Sequence, residues 1–253
     1  MKVRVKFRKE GSLRFVGHLD TMRFFQKMIR RAEIPIAYSK GFNPHMIMSF
    51  ANPLGIGVTS QGEYFDIELK EAIPSEEAMR RLNATSVYGI EVLSFKEIAS
   101  EKKMNGMTIL AAAGYLVEIK SMGEFQVKEI NESRLNEKDS LAAYTDLTEM
   151  IKLFMSQSEI NILKKTKRSE EVVNIKPLIY HIEAKESHSI EMILAAGSKE
   201  NLKPGLVMEA LCSYLGIEYD VLSFGVHRLE MYADVGNNEE RKLVSLESLG
   251  KVI

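Results

Sequence analysis

The chain has 253 residues, 45% apolar and 27% charged, with a formal net charge of −1. That length suits one large domain or two ordinary ones, and the apolar content supports a core without covalent staples. The near-neutral total excludes nucleic-acid binding through global charge. The lone Cys212 excludes an internal disulfide or a cysteine-ligated cluster, and no stretch approaches the ~20 apolar residues of a membrane span.

Val3, Val5 and Phe7 alternate with Lys2, Arg4, Lys6 and Arg8, the period of a half-buried strand. The segment has no continuous apolar run, so no signal peptide is expected. With one cysteine, that points to a cytoplasmic protein with no membrane partner. His18 to Ala32 has helical spacing, stopped by Pro35. Ile47–Phe50 and Glu63–Leu69 read as strands. Ser75 is the expected N-cap of a second helix with Glu76 and Glu77 in its first turn, and Ile90–Ile98 closes the unit as a strand.

The polar stretch 99–106 reads as a linker between a domain at 1–100 and a second at 107–235, followed by a polar tail at 236–253. In the second half, Thr108–Lys120, Ile160–Lys164, Val172–Ala184, Ser189–Ala195 and Val226–Ala233 read as strands. Ser140–Gln157 reads as a helix, and so does Pro204–Leu215, with Pro near its start and Gly216 just past its end. The order predicts an α+β fold: two tandem ferredoxin-like units of βαββαβ type, each with an antiparallel sheet carrying helices on one face.

Charge is unevenly spread. From Met1 to Arg31 stand Lys2, Arg4, Lys6, Arg8, Lys9, Arg14, Arg23, Lys27, Arg30 and Arg31, against only Glu10 and Asp20. Acids gather around Glu124–Asp139 and Glu239–Glu247. At about 100° per residue, Arg23, Lys27, Arg30 and Arg31 fall on one side of the first helix and Met22, Phe24, Phe25, Met28, Ile29 and Ala32 on the other. Guanidinium forks suit phosphate. Four cations on one face of the first strand are expected to meet water or an anion, because charge is not buried without partners. The following loop, Ala37–His45, places Tyr38 and Phe42 beside Lys40, Asn43 and His45, a mixture that can stack bases and hold a backbone. Lys164, Lys165, Lys167 and Arg168 form a second basic cluster at a strand end. Arg4, Arg8, Arg23, Lys27, Arg30, Arg31, Tyr38, Lys40, Phe42, Asn43, His45 and these four are the candidate contacts to RNA. Each group also has a plain structural alternative: a solvated helix face, rings that pin a loop, or a charged hairpin tip.

His18 and Asp20 could act as a base and its orienter only if His18 precedes the first helical turn, since residues two apart do not face each other in a helix. His181, His188 and His227 stand alone, and no spacing suits zinc. There is no Walker A loop, no Gly-x-Ser-x-Gly and no Cys-x-x-Cys, so no metal site or cofactor of the chain's own is expected.

The runs Leu13-Arg-Phe-Val-Gly-His-Leu-Asp-Thr-Met-Arg23, Arg30-Arg31, Tyr38-Ser-Lys-Gly-Phe-Asn-Pro44, Pro53-Leu-Gly-Ile-Gly57 and Glu63-Tyr-Phe-Asp66 resemble the radical-SAM-linked protein family. Its members are fused to, or encoded beside, B12-binding radical SAM proteins. Lys164–Arg168 and Asn174-Ile-Lys-Pro177 extend the resemblance into the second half. The chain departs from it at Asn174, where the family carries Asp. The resemblance implies a partner, a B12-binding radical SAM protein that holds the cluster, and not a reaction. The leading expectation is an accessory adaptor that handles structured RNA for that partner. The alternatives are a metal-independent RNA-processing enzyme using His18 and a pure protein–protein adaptor.

Overall fold

A computed structural model describes residues 1–120, 146–165, 170–237 and 240–253. The fold is α+β, with mostly antiparallel strands and five α-helices among the described residues. Two compact units emerge. One comprises Met1–Gly114, Ala196–Lys199 and His227–Ile253, the other Tyr115–Ala195 and Glu200–Val226.

The first unit runs β1 (Lys2–Lys9), α1 (His18–Arg31), β2 (Met48–Phe50), β3 (Thr59–Glu68), α2 (Ser75–Ala84) and β4 (Ile90–Ile98). Its strand order is β4-β1-β3, with β2 pairing β3 and all three pairings antiparallel. Val3, Val5 and Phe7 point into a core shared with Phe25, Met28, Ile29, Phe65, Ile67, Ala78, Leu82, Val92 and Phe95. Phe7, Phe25, Phe50 and Phe65 form its aromatic centre, with centroid separations from 4.6 Å (Phe7–Phe25) to 6.1 Å (Phe7–Phe50).

α1 starts after an extended Gly17. It stops at Arg31, before Pro35, because Glu33 takes a left-handed φ of 51° and Ile34 N–H bonds back to the Ile29 carbonyl. The α2 cap differs from expectation. Pro74 is the N-cap and Ser75 lies inside the first turn, where its buried hydroxyl accepts from Ile253 N–H. The stretch 99–106 also has structure: a 3-10 turn at Lys102–Met104 leads into the short helix α3 (Gly106–Ile109).

The second unit takes over inside β5 (Leu110–Ile119). It continues with α4 (Leu147–Ser156), β6 (Asn161–Lys165), β7 (Glu170–Asn174), β8 (Ile179–Glu186), β9 (Ser189–Ala195), α5 (Pro204–Leu215) and the start of β10 (Phe224–Asp234). The span 172–184 is not one strand: a 3-10 turn at Lys176–Leu178, with Pro177 inside it, divides β7 from β8. β6 and β7 form a separate two-stranded sheet. With that hairpin set aside, the order of elements is β5, α4, β8, β9, α5, β10, and the strand order is β10-β5-β9-β8. The expected 140–157 helix is described only from Leu147, where the Asp146 carboxylate caps Thr148 N–H at 2.9 Å. Leu141, Tyr144 and the acids of 124–139 lie outside the described residues. α5 follows expectation, with Pro204 in its first turn and Gly216 at φ 71°.

The remainder of β10, from His227, belongs to the first unit. It runs parallel to β3, and β11 (Leu243–Ser245) pairs with it. The segment read as a polar tail thus contributes a strand and the fully buried Leu246. Gly62 admits β10: a Cβ there would lie 2.6 Å from the Glu230 Cα and the Leu229 carbonyl oxygen.

Phe25→Ala should lower unfolding free energy by about 3–5 kcal/mol, the usual cost of an aromatic deletion in a packed core, measurable by denaturant titration.

Candidate functional site

The first strand's cations are placed differently from expectation. Arg4 is 1% exposed. Its Nε and Nη2 donate to Asp66 Oδ1 and Oδ2 at 2.8 and 3.0 Å, Nη1 donates to the Leu246 carbonyl at 3.1 Å, and Nη2 also donates to the Met104 carbonyl at 2.7 Å. Arg4 and Asp66 stand directly opposite in the β1–β3 ladder, which sets the bidentate geometry. Gly106 N–H adds a further donor to Asp66 Oδ2 at 2.7 Å. Lys6 Nζ reaches Glu230 and Glu247 at 2.8 and 2.9 Å, and Tyr64 donates to Glu230 at 2.6 Å. Burial and the Glu230 charge push the Tyr64 phenol upward, so it stays a neutral donor. Lys2 donates to Asn105 Oδ1 at 3.1 Å, and half-exposed Arg8 lies 3.3 Å from Glu91 and 3.9 Å from Glu10. Arg4 and Lys6 therefore meet internal carboxylates and carbonyls, whereas Lys2 and Arg8 remain partly exposed.

The helix cations are different. Arg23, Lys27, Arg30 and Arg31 are all exposed, while Phe25, Met28, Ile29 and Ala32 behind them are buried. Arg23 shares an exposed ion pair with Asp20 at 3.1 Å, a contact of small net energy. Arg31 donates to the Thr85 carbonyl at 3.0 Å. Lys27 and Arg30 make no ion pair among the described residues. Asp20 faces this side, so it does not orient His18.

The loop from Tyr38 to Met46 closes on a bridge between those two residues, with Ser39 N–H bonded to the His45 carbonyl at 2.8 Å. Ser39 Oγ accepts from His45 N–H and lies 2.9 Å from His45 Nδ1. Gly41 turns the tip with φ 121°. Phe42 is fully exposed and Lys40, Asn43 and His45 are exposed around it, so this ring does not pin the loop. Tyr38 is more than a third exposed and lies under Lys70, whose Nζ is 5.5 Å from the ring centroid. In the second unit, Lys164 and Lys165 sit at register positions opposite Glu171 and Glu170 in the β6–β7 hairpin. Lys167 and Arg168 lie outside the described residues. Asn174 Oδ1 accepts from Ile160 and Lys176 N–H, a backbone-capping task that an Asp carboxylate would also perform.

A second constellation went unnoticed in the sequence. His18 is the first residue of α1 and packs edge-on to Phe50, with centroids 5.0 Å apart. Beside it lies Lys9, 2% exposed, whose Nζ donates to the Val16 carbonyl at 2.6 Å. Buried Glu63 takes Arg228 Nη1 at 2.9 and 3.2 Å, and the same nitrogen donates to the Asn52 carbonyl at 3.0 Å. Burial pushes the Glu63 carboxyl up, and Arg228 opposes it. Burial lowers the Lys9 ammonium, with Glu63 opposing. Burial and then the Lys9 charge lower His18, leaving its imidazole neutral at pH 7. A signal was available: Lys9 continues the Val3, Val5, Phe7 alternation, and Glu63 continues that of Phe65 and Ile67, so both are charges on core-facing positions. Among the described residues no group of three or more His, Cys, Asp and Glu side chains is placed to hold a metal ion, and no helix is long and apolar enough to cross a membrane.

The chain is thus an α+β protein with an exposed basic helix face, an aromatic-tipped loop and a buried charge cluster. The chain belongs to the family described as "Uncharacterized protein conserved in bacteria (DUF2344)", whose model matches residues 2–204. No curated protein matches the chain.

Asp66→Ala should cost about 3–5 kcal/mol in unfolding free energy, because it strands a buried guanidinium. Cys212 is buried in α5 and its thiol is pushed up to about 11 by burial, so a thiol-reactive disulfide reagent should leave it unmodified until the protein is unfolded.

Proposed function

We propose that the protein is an RNA-handling adaptor that grips phosphate with the exposed face of α1 and contacts unpaired bases with the Tyr38–Met46 loop. The observation that carries this reading is the presence, in one unit, of four exposed cations on one helix face and a fully exposed Phe42 flanked by Lys40 and His45. An exposed ring contributes nothing to the core, and a base has a face to stack on it. The β1 cations play no part in this reading, which rests on Arg23, Lys27, Arg30 and Arg31. The motif resemblance supplies the rest: the adaptor would serve a B12-binding radical SAM enzyme that brings its own cluster. We further infer that both units are ferredoxin-like. The βαββαβ order with strands 4-1-3-2 supports this in the first unit, and in the second the same order holds around an inserted β6–β7 hairpin.

In filter binding with a structured RNA carrying a single-stranded loop, affinity should fall steeply with salt. Each of Arg23→Gln, Lys27→Gln and Arg30→Gln should reduce the slope of log K against log salt by about 1. Phe42→Ala should weaken binding by about 1–3 kcal/mol and leave the slope unchanged. Salt-insensitive binding, or a slope unaltered in the triple variant, would remove this function. Co-purification of a protein partner that survives nuclease and high salt, with no RNA bound, would favour a protein–protein adaptor instead.

A further inference from the structure

The first unit carries an open cleft on the sheet face turned away from its helices. Strand parity fixes what lines it. Val3, Val5, Phe65 and Ile67 point into the core with Phe25 and Ile29, so Lys2 and Arg4 on β1 and Asp66 and Glu68 on β3 point the other way. On β2, Met48 and Phe50 pack on the core, which turns Ser49, and Ile47 before it, to the opposite face. The ladder sets Lys2 opposite Glu68, and Arg4 and Ser49 on either side of Asp66. Glu68 N–H bonds to the Ile47 carbonyl at 3.2 Å. Two rows result: Ile47, Glu68, Lys2 and Ser49, Asp66, Arg4. Asn105 forms the far wall. Its neighbours are anchored to the buried pair, Met104 through its carbonyl on Arg4 and Gly106 through its N–H on Asp66, both at 2.7 Å. The cleft lined by Lys2, Ile47, Ser49, Asp66, Glu68 and Asn105 has a volume of about 210 Å³. One water takes about 10–15 Å³ by the same measure, so the cleft admits a small organic molecule.

The charges in the cleft give the character of that molecule. Asp66 is matched by Arg4 through the bidentate contact. Lys2 and Glu68 are left, of opposite sign and directly opposed in the ladder, yet they form no ion pair with each other. Lys2 Nζ is drawn instead to Asn105 Oδ1 at 3.1 Å, on the far wall. The cleft thus presents a positive and a negative charge at separate points. A lone anion attracted by Lys2 would meet the like charge of Glu68, and a lone cation attracted by Glu68 would meet Lys2. A neutral ligand would take water from both charges and repay neither. A ligand carrying both signs, in the reverse order, satisfies the two ends together. Ile47 completes the Glu68 row with an apolar wall for a short aliphatic side chain.

We propose that this cleft is a binding site for a small zwitterion, an aliphatic α-amino acid, with Lys2 holding its carboxylate, Glu68 its ammonium group and Ile47 its side chain. The proposal does not rest on the RNA reading, and Arg23→Gln or Phe42→Ala should leave it unchanged.

The test is an NMR titration of the full chain, isotopically labelled, with L-valine, with valinamide, which lacks the carboxylate, and with isovalerate, which lacks the ammonium group. Valine should give saturable shifts centred on the Ser49, Glu68 and Asn105 amides. Valinamide and isovalerate should each bind at least about tenfold more weakly, each having lost one charged contact. The variants should show a crossed pattern that a merely structural role would not give. Glu68→Gln should weaken valine about tenfold and leave isovalerate no weaker; Lys2→Met should weaken valine about tenfold and leave valinamide no weaker. Both side chains are partly exposed, and either variant alone gives the readout should the other fail to fold. No saturable valine binding, equal binding of the three compounds, or valine affinity unchanged in either variant would overturn the proposal.

Discussion

The buried guanidinium of Arg4 constrains the first unit more than any other group. A charge that is 1% exposed must have its donors met, and here the acceptors come from three distant places: Asp66 on β3, Met104 before α3, and Leu246 after β11. Lys6 repeats the device with Glu230 and Glu247. These partners couple β1 to segments up to 242 positions away in sequence, so β1, β3, the 102–109 segment and the 227–253 return form one cooperative block. Arg228, Glu230, Leu246 and Glu247 all lie beyond the span 2–204 matched by the family model, yet they close the unit that the matched residues begin.

That closure divides the chain's cations into two populations. Arg4 and Lys6 of β1 are taken up by internal acceptors. Those of α1 project to solvent from a helix whose opposite face is packed through Phe25, Met28 and Ile29, with Arg23 paired to Asp20, Arg31 bonded to the Thr85 carbonyl, and Lys27 and Arg30 without an ion pair among the described residues. Lys9 belongs to neither population. It is buried like Arg4, with its Nζ on the Val16 carbonyl and the Glu63 charge nearby.

Local pattern was legible in the sequence and long-range pairing was not. The boundaries of α1, β4 and α5 follow from hydrophobic spacing and from Pro and Gly punctuation, both properties of neighbouring residues. The one-sided basic face of α1 follows from the same spacing. The closure of the β1 face could not be read, because nothing near Arg4 announces Asp66 or Leu246. The Val172–Ala184 strand was divided by Pro177, a local cue that its β-rich flanks outweighed. The buried pair of Lys9 and Glu63 was half legible: parity places both on the core side, but only the fold brings Arg228 and His18 to them.

The central claim is that Arg4 is committed inside the fold while the α1 arginines are open. Side-chain guanidinium hydrogen exchange, followed by NMR, tests it directly. The Arg4 Nε–H should exchange orders of magnitude more slowly than those of Arg23 and Arg30, and should be unmoved by added RNA while the helix resonances shift. An Arg4 that exchanges as fast as the helix arginines, or shifts with them on RNA addition, would contradict the account.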